Sequence, residues 1–356
     1  MKIHRPICQA IVEIVSQIFF ESRYADKAIE YAFKNNRKWG SKDRKFIAEA
    51  VYDIVRYWRT YEHFVEGIFP DQPNTIWAAL GLHLKRNGNP IPDWTEFDLV
   101  RSKKYDDRSL DDLALRESFP DWMVAEIRES WGDQTPQILS SLNDMPPVFL
   151  RVNTLKISRD ELIRELVEEE IPAEKVFEQD CAIVLSERKN TFQTKSFLKG
   201  HFEVQDLSSQ KVAAFCQVKP KDKVIDACAG AGGKSLHLAV QMNNKGKIIA
   251  LDPVERKLKE LRKRASRNGI DIIEVRVIEG TKTTKRLEKS ADVVLLDVPC
   301  SGTGVIRRNP DTKWKLQPED LVELKKTQNE ILGSYSRMVK PGGALVYSTC
   351  SLLKSE

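Results

Sequence analysis

From residue 223 to residue 347, short apolar segments alternate with longer helical segments, and this alternation limits the fold more than any other feature. The apolar segments are rich in Val, Ile, Leu and Ala, which is typical of parallel strands buried on both faces. They lie at Lys223–Ala227, Lys247–Leu251, Ile272–Ile278, Val293–Leu296 and Ala344–Tyr347. The intervening helices are predicted at Gly233–Met242, Val254–Asn268 and Pro318–Val339. A chain with this order of elements is expected to fold as a doubly wound, Rossmann-like α/β sheet.

The residues before this region predict two further domains. Apolar residues follow helical spacing up to about residue 140, so we expect an all-helical domain over residues 1–140. Residues 145–205 contain a strand, a helix opened by a capping box at Ser158, and a second strand at Ala182–Leu185. They predict a small α+β module, which leaves residues 206–356 for the Rossmann-like domain.

One helix of the N-terminal domain carries a basic face. Ser41 is its predicted N-cap, and several basic side chains lie off its apolar stripe. These side chains are Arg44, Lys45, Arg56 and Arg59. The pattern alone leaves two interpretations open: a solvated face, which is the usual fate of such charges, and a face that contacts phosphate groups.

Composition excludes several classes of protein. Of the 356 residues, 41% are hydrophobic and 31% are charged, which is typical of a soluble globular protein, and no segment predicts a signal peptide or a membrane span. The formal net charge of +5 favours a polyanionic partner only mildly. The six cysteines form no CxxC pair, so reduced cytoplasmic thiols are expected rather than a disulfide framework or a metal site.

A glycine-rich turn joins the first predicted strand of the large sheet to the helix that follows. From residue 226 it reads Asp-Ala-Cys-Ala-Gly-Ala-Gly-Gly-Lys-Ser. The P-loop pattern fails because Cys228 occupies the position of its first glycine, and the dinucleotide pattern fails because Ser235 replaces its third. A nucleoside cofactor with a short charged tail remains, which suits S-adenosylmethionine. Asp252 ends the next strand, where a carboxylate can accept hydrogen bonds from ribose hydroxyls.

Two cysteine motifs follow predicted strands of the same sheet. The motif Asp-Val-Pro-Cys-Ser-Gly contains Cys300 and begins directly after Val293–Leu296. The motif Ser-Thr-Cys-Ser contains Cys350 and begins directly after Ala344–Tyr347. Because parallel strands end at one edge of a sheet, where open α/β sheets bind ligands, we expect both thiols in one cleft.

Cysteine in such a cleft suits a reaction at carbon 5 of cytosine, which is a poor nucleophile. A thiolate that adds to carbon 6 makes carbon 5 enamine-like, so that it can attack a methyl sulfonium, and loss of the carbon-5 proton then releases the thiol. The simpler interpretation is that Cys300 and Cys350 are small buried hydrophobes. Their strand-end positions, the flanking polar and small residues and the acid at Asp297 argue against it.

At these residues the chain resembles the RNA cytosine-5 methyltransferases, and in particular the bacterial branch that modifies 16S ribosomal RNA. The motifs that carry the resemblance are the glycine-rich turn over Cys228–Lys234, the acid-Pro-Cys motif with a basic extension to Asp311, and the Thr-Cys motif at Cys350. Residues 202–210 resemble the entry to that family's catalytic domain. Residues 1–140 resemble the helical, antitermination-factor-like RNA-binding domain fused to some members.

The resemblance implies a role for each motif residue. Cys350 is expected to be the nucleophile, Cys300 to assist release of the methylated product, and Asp297 to hold the cytosine edge and border the cofactor. The other expected cofactor-binding residues are Cys228, Ala229, Gly230, Ala231, Gly232, Gly233, Lys234, Asp252 and Glu279. The residues expected to contact RNA through phosphates and stacking are Arg307, Arg308, Lys313, Trp314, Arg44 and Lys45.

Three departures from the family pattern are visible. Gly230-Ala231 stands where the family usually has Ala-Pro, and Glu279 is a longer acid than the usual one after the third strand. The chain also ends shortly after Cys350, whereas such enzymes continue through another helix and a final strand pair. A truncated chain with an unpaired sheet edge is therefore expected.

The sequence thus predicts an enzyme that transfers a methyl group from S-adenosylmethionine to carbon 5 of a cytosine in RNA. The expected substrate is 16S ribosomal RNA, and the expected protein is monomeric and cytoplasmic. Two alternatives stay open. One is methylation of transfer RNA or DNA by the same chemistry, and the other is a catalytically inactive factor for RNA binding or ribosome assembly.

Overall fold

The computed structural model of the chain describes residues 3–65, 73–278 and 280–356. Its N-terminal part is α-helical apart from short turns and connections. The helices are α1 (Arg5–Phe20), α2 (Ala25–Asn35), α3 (Ser41–Arg56), α4 (Trp58–Phe64), α5 (Pro73–Arg86), α6 (Asp98–Arg101), α7 (Leu113–Arg116), α8 (Asp121–Trp131) and α9 (Thr135–Asn143). The prediction of a helical N-terminal region is therefore confirmed.

The start of α3 corrects the predicted N-cap. Ser41 is the first residue of the helix, and Gly40 is its N-cap. The carboxylate of Asp43 closes the first turn, because its Oδ2 accepts a hydrogen bond from the Gly40 amide at 3.1 Å. An acid in the first turn is also favoured by the helix dipole.

Residues 149–204 form a small antiparallel sheet with two helices. The elements are β1 (Phe149–Val152), α10 (Arg159–Glu168), β2 (Ala173–Lys175), β3 (Ala182–Leu185), α11 (Lys195–Leu198) and β4 (Phe202–Val204). The strand order is β2-β3-β1-β4. The predicted capping box is confirmed, since the Ser158 amide donates to Oε2 of Glu161 at 3.0 Å and the Glu161 amide donates to Oγ of Ser158 at 3.3 Å. The α+β character of this region is therefore as predicted.

The larger sheet follows the predicted alternation. Its elements are α12 (Leu207–Phe215), β5 (Lys223–Asp226), α13 (Gly233–Gln241), β6 (Lys247–Asp252), α14 (Glu255–Asn268), β7 (Ile273–Val277), α15 (Thr281–Arg286), β8 (Ala291–Asp297), α16 (Thr312–Lys315), α17 (Pro318–Tyr335) and β9 (Val339–Ser348). The described strands lie in the order β7-β6-β5-β8-β9, and neighbouring strands are parallel. The Rossmann-like fold class is confirmed.

Strand β9 begins earlier than predicted. The sequence analysis extended the preceding helix to Val339, whereas α17 ends at Tyr335 and Val339 already pairs with Ala291 of β8. The next pair in the register joins Ala344 to Val293, so residues 340–343 of β9 form a bulge. The bulge accommodates proline and glycine, which disfavour regular strand interiors.

The chain divides into two compact units. The helical unit comprises residues 1–145, 301–322 and 350–356, and the sheet unit comprises residues 146–300 and 323–349. Within the helical unit, one hydrophobic cluster joins residues of α1, α3 and α5, and a second joins residues of α8 and α9 to Ile306, Leu321 and Leu353. Within the sheet unit, two clusters cover the larger sheet and one covers the small sheet. No helix among the described residues is long and apolar enough to cross a membrane.

Candidate active site

The winding of the larger sheet changes direction at β5. From β5 the sheet extends through β6 and β7 on one side and through β8 and β9 on the other. Open α/β sheets bind ligands outside the carboxyl ends of their strands at such a point. The glycine-rich turn after β5, Asp252 at the end of β6 and Asp297 at the end of β8 all belong to this edge. The sheet therefore gathers the predicted cofactor-binding motifs of the sheet unit at one edge.

Two glycines give the turn its shape. Gly230 has a φ of +55° and Gly232 a φ of +84°, a region that favours glycine. A Cβ at Gly232 would lie 2.4 Å from Cγ of Leu261 in α14, so this position has no room for a side chain. A Cβ at Gly230 would have no described atom within 4 Å. The turn is therefore packed closely at Gly232 and open at Gly230.

Two arginines hold the turn by its carbonyl groups. Arg151 of β1 donates to the Gly233 oxygen at 2.6 Å, and Arg264 of α14 donates to the Ala231 oxygen at 2.8 Å. Arg151 is fully buried, and burial lowers its pKa to about 10. Neither arginine is predicted by the sequence to contact the turn, because both are distant from it along the chain. A basic residue within the apolar strand Phe-Leu-Arg-Val was the available signal for Arg151.

Both oxygens of Asp252 accept hydrogen bonds from backbone amides. Oδ2 accepts from Gly230 at 3.0 Å and Oδ1 from Val254 at 2.8 Å, and the side chain is buried. Asp252 thus connects the glycine-rich turn to the end of β6. Ribose binding by Asp252 stays a prediction, and it would use lone pairs that the two amides leave available.

Asp226 is a buried acid at the start of the turn that the sequence analysis did not single out. Oγ of Ser235 donates to its Oδ2 at 2.6 Å, while its buried Oδ1 has no hydrogen-bond partner among the described residues. Burial raises the pKa of Asp226 to about 6. The charged form is disfavoured here because a buried carboxylate loses its hydration.

We expect the substitution Asp226→Asn to remove a pH dependence of folding stability. The pKa of Asp226 is raised from about 3.9 in the unfolded chain to about 6 in the folded protein. Between these values the folded state binds more protons, so the free energy of unfolding falls as pH rises from about 4 to about 6. The gap of about two units corresponds to roughly 3 kcal/mol.

Urea unfolding of the cofactor-free protein between pH 4 and 7 measures this effect. The exposed residue Asp271 provides the matched control, Asp271→Asn, which should keep the slope of the wild type. An Asp226→Asn variant with the same slope as the wild type would contradict the raised pKa.

Asp297 is held by a lysine and a serine. Lys234 Nζ lies 2.6 Å from its Oδ2, and Oγ of Ser348 donates to its Oδ1 at 2.8 Å. Asp297 and Ser348 are register partners in β8 and β9. The sequence analysis assigned Lys234 to the cofactor and did not single out Ser348. The structure shows that Lys234 neutralises the charge of Asp297 and holds its side chain in one orientation.

The two cysteines follow neighbouring strands. Cys300 comes three residues after the end of β8 and Cys350 two residues after the end of β9. Cys300 is half-buried and belongs to the sheet unit, whereas Cys350 is exposed and belongs to the helical unit. Exposure of Cys350 argues against a role as a small core residue. The expectation that both thiols lie in one cleft stays a prediction.

Burial corrects the predicted RNA-contacting loop. Lys313 is fully buried, and its Nζ donates hydrogen bonds inside the helical unit, so its assignment to RNA is wrong. Trp314 is half-buried, donates its indole N–H to the Val55 oxygen at 2.6 Å and packs against the apolar cluster of α1 and α3. Arg307 donates to the carboxylate of Asp144 at 3.0 Å. The loop is therefore anchored to helices of its own unit, and the half-buried Arg307, Arg308 and Trp314 stay predictions as RNA contacts.

Most of the basic face on α3 and α4 also bonds to protein groups. Arg44 donates to the Trp39 oxygen at 3.0 Å. Arg56 is buried, and Arg59 forms a bidentate pair with Asp121 at 2.9 Å. Neither the solvated nor the phosphate-contacting interpretation describes Arg56. Lys45 keeps an exposed side chain, with Glu49 only at 3.9 Å, and stays a prediction as a phosphate contact together with Arg44.

The predicted cofactor-binding residues that remain are Glu279, Cys228 and Ala229. Glu279 lies outside the described residues. Cys228 and Ala229 lie in the turn itself, where burial raises the pKa of the Cys228 thiol to about 12, so this thiol stays protonated at neutral pH. The open side of the turn at Gly230, where a Cβ would meet nothing, fits a ligand that approaches the backbone closely. The turn and the acids at the ends of β6 and β8 therefore fit a nucleoside cofactor with a cationic group.

Comparison with protein families gives two matches. Residues 213–356 match the model described as 16S rRNA methyltransferase RsmB/F. Residues 119–191 match the model described as the ferredoxin-like domain of RsmF/B-like methyltransferases. The second match includes the strands β1 and β3 and the helix α10 of the small sheet.

Two curated relatives carry related names. The probable ribosomal RNA small subunit methyltransferase B of Bacillus subtilis is 38% identical over 247 residues, which are 68% of this chain and 55% of that protein. The protein of the same name from Synechocystis is 30% identical over 383 aligned positions, with 96% of this chain and 85% of that protein covered. The chain thus spans about half the length of the Bacillus protein and most of the Synechocystis protein.

Two solved structures share the fold. The crystal structure of PH0851 is 27% identical and superposes with a TM-score of 0.86 over 100% of this chain and 88% of that one. A methyltransferase homologue from Pyrococcus horikoshii is 30% identical, with a TM-score of 0.61 over 69% of this chain and 78% of that one. These similarities agree with the parallel sheet described above.

Proposed function

Because this chain belongs to the 16S rRNA methyltransferase RsmB/F family, we propose that it methylates carbon 5 of a cytosine in RNA, with 16S ribosomal RNA as the substrate. The observation that carries the proposal is the register of β8 with β9. It places Asp297 opposite Ser348, and both cysteine motifs begin at this pair. An acid that is oriented beside the switch point of the sheet is suited to bind a base edge there.

The proposed cofactor is S-adenosylmethionine, which when bound supplies an electrophilic methyl group. The glycine-rich turn would hold it through the open backbone at Gly230, and Asp252 would hold its ribose. Arg151 and Arg264 keep the turn in place without occupying its open side, because they bond to the carbonyl groups of Gly233 and Ala231. The turn is thereby preorganised before any ligand arrives.

Asp297 is proposed to hold the cytosine. Its carboxylate is an acceptor for the exocyclic amino group of the base. Lys234 and Ser348 fix the direction of both carboxyl oxygens. A fixed base edge keeps carbon 6 in one position, which is what an attacking thiolate requires.

The two thiols are proposed to act in sequence on the cytosine ring. The Cys350 thiolate forms a bond to carbon 6, which pushes an electron pair toward carbon 5 and makes it nucleophilic. After carbon 5 gains the methyl group, a base removes its proton, and the electron pair of that C–H bond re-forms the ring double bond as the Cys350–carbon 6 bond breaks. The pair of the broken bond leaves on the Cys350 sulfur as thiolate, and Cys300 assists this release.

Methyl transfer tests the proposal directly. The protein is incubated with tritiated S-adenosylmethionine and undermethylated small-subunit RNA, and the labelled nucleoside is identified after digestion. We expect label in 5-methylcytidine. Label in transfer RNA alone would redirect the substrate assignment, and RNA binding without any label would support the catalytically inactive alternative.

We expect the substitution Lys234→Met to lower the rate of methyl transfer by roughly 30-fold, since a hydrogen bond to a charged group contributes about 2 kcal/mol. Without Lys234, the Asp297 carboxylate loses its counter-charge and one of its two orienting bonds. Single-turnover rates at saturating RNA measure the effect. The exposed lysine of α17 provides the control Lys326→Met, which should match the wild type. Equal rates for Lys234→Met and the wild type would exclude this role.

A further inference from the structure

The turn that follows Cys300 holds the backbone of Cys350. The Gly304 amide donates a hydrogen bond to the Cys350 carbonyl oxygen at 2.9 Å, and both residues belong to the helical unit. A Cβ at Gly304 would lie 2.7 Å from the same oxygen, which is closer than real Cβ contacts. The chain therefore needs glycine here for a close approach of two backbone segments.

Thr303 bonds to the residues on the C-terminal side of Cys350. It is fully buried, and its Oγ1 accepts a hydrogen bond from the Leu352 amide at 2.8 Å. The same oxygen lies 3.1 Å from Oγ of Ser351. One threonine hydroxyl thus binds both residues that follow the thiol.

A second hydroxyl, that of Ser301, extends this arrangement, and the Glu356 carboxylate accepts hydrogen bonds from the hydroxyls of Ser301 and Ser351. Oγ of Ser301 lies 3.0 Å from Oγ of Ser351 and 3.3 Å from Oγ1 of Thr303. Oγ of Ser351 in turn accepts a hydrogen bond from the Leu353 amide at 2.9 Å. We call Ser301, Thr303 and Ser351 the hydroxyl cluster. Cooperative hydrogen bonds of this kind rigidify the backbone that they bridge.

Packing fixes the far end of the same segment. The Leu353 side chain is buried in the cluster formed with α8 and α9, and the Trp131 indole donates to the Leu352 oxygen at 2.7 Å. Cys350 itself is exposed. Cys350 is therefore exposed while the residues that follow it are bonded, and Leu353 is buried.

From this arrangement we propose that Thr303 is a positioning residue for Cys350, an inference that rests on the proposed role of Cys350 as nucleophile. Thr303 does not touch the substrate in this scheme. It fixes the backbone that carries the attacking sulfur, and a displacement of about 1 Å at such a group can slow a reaction on the order of 100-fold. The motif that follows Cys300 therefore also positions Cys350.

The isosteric substitution Thr303→Val removes the hydroxyl and keeps the volume, and Thr303→Ser keeps the hydroxyl. We expect Thr303→Val to lower kcat by about 10- to 100-fold, with KM for S-adenosylmethionine within about twofold of the wild type. We also expect a change of at least about threefold in the rate at which iodoacetamide alkylates Cys350, which mass spectrometry measures. Thr303→Ser should restore both quantities. The exposed Thr327 of α17 provides the control Thr327→Val.

Two outcomes would overturn the inference. One is a folded Thr303→Val protein with wild-type kcat and wild-type alkylation of Cys350. The other is failure of Thr303→Ser to restore kcat. If Thr303→Val does not fold, Ser351→Ala replaces it in the same measurements, and unchanged values again overturn the inference. Activity of a Cys350→Ala protein would instead refute the proposed nucleophile. The two failures can be told apart, because the alkylation rates of the threonine variants are measured without turnover.

Discussion

Replacement of Cys350 by alanine is expected to abolish methyl transfer, with a loss on the order of 10⁴-fold or more. No other group in the proposed scheme forms the bond to carbon 6, and without that bond carbon 5 of cytosine is a poor nucleophile. Cys350 is an exposed residue, as an attacking thiol that must meet an incoming base has to be. The measurement is transfer of tritium from S-adenosylmethionine to undermethylated small-subunit RNA, together with the affinity of the variant for that RNA.

The effect should be specific to this thiol. Cys181 is a half-buried cysteine outside the proposed site, so Cys181→Ala is the control and should transfer label at the wild-type rate. RNA affinity should be similar in all three proteins, because the loss concerns a bond made during the reaction. Substantial label transfer by a folded Cys350→Ala protein would remove the covalent scheme.

The companion substitution Cys300→Ala distinguishes the roles of the two thiols. If Cys300 assists release of the product, this variant should accumulate RNA covalently bound through Cys350. The adduct would appear as a slowly migrating band on a denaturing gel, and it should be absent from a Cys300→Ala, Cys350→Ala double variant. An adduct that persists in the double variant would assign the covalent bond to another residue.

The substitution Lys313→Met is expected to lower the free energy of unfolding by about 3 kcal/mol or more, because removal of the ammonium group leaves buried acceptors without donors. The Nζ of Lys313 lies within hydrogen-bonding distance of four acceptors, which are the backbone oxygens of Arg56 and Ser118 at 3.0 Å and of Glu117 at 3.3 Å, and Oδ1 of Asn143 at 2.7 Å. Methionine matches the length of the lysine side chain but cannot donate a hydrogen bond. Burial lowers the pKa of Lys313, because a buried ammonium loses its hydration.

Urea unfolding at pH 7 measures this loss. Lys45→Met is the control, since the side chain of Lys45 is 72% exposed and surface substitutions usually change stability by less than about 0.5 kcal/mol. The RNA-contact interpretation of Lys313 predicts the opposite pattern, with weaker RNA binding and unchanged stability. A Lys313→Met protein as stable as the wild type would show that the four acceptors are satisfied in another way.

The course of the sheet was predictable because its signals are local. Each of the segments predicted as strands of the larger sheet forms a strand of the structure. The glycine-rich turn was predictable for the same reason, since positive φ angles at Gly230 and Gly232 require glycine within a few residues of a strand end. The extended start of β9 was missed because Pro341 and its glycines indicate a break, while pairing with β8 accommodates them as a bulge.

The basic residues show where local patterns fail. Lys313 and Trp314 follow arginines in a polar segment, which is typical of an exposed loop. Their burial depends on contacts with α3, and the hydrogen bond from Lys313 to Arg56 joins residues 257 positions apart. No periodicity within the loop contains that information. The exposed basic side chain at Lys45 is indistinguishable by sequence from the buried one at Arg56.

By itself, the sequence determined which residues end the strands of the sheet, because apolar runs and turn residues act over a few positions. It therefore placed Asp252, Asp297 and the residues that lead to Cys300 and Cys350 at strand ends. Only the tertiary structure decided the partners of the residues at these ends. Lys234 meets Asp297 across 63 positions and Thr303 meets the Leu352 amide across 49. Such pairs form only when the sheet is assembled and the chain returns on itself, so their geometry follows from packing rather than from local preference.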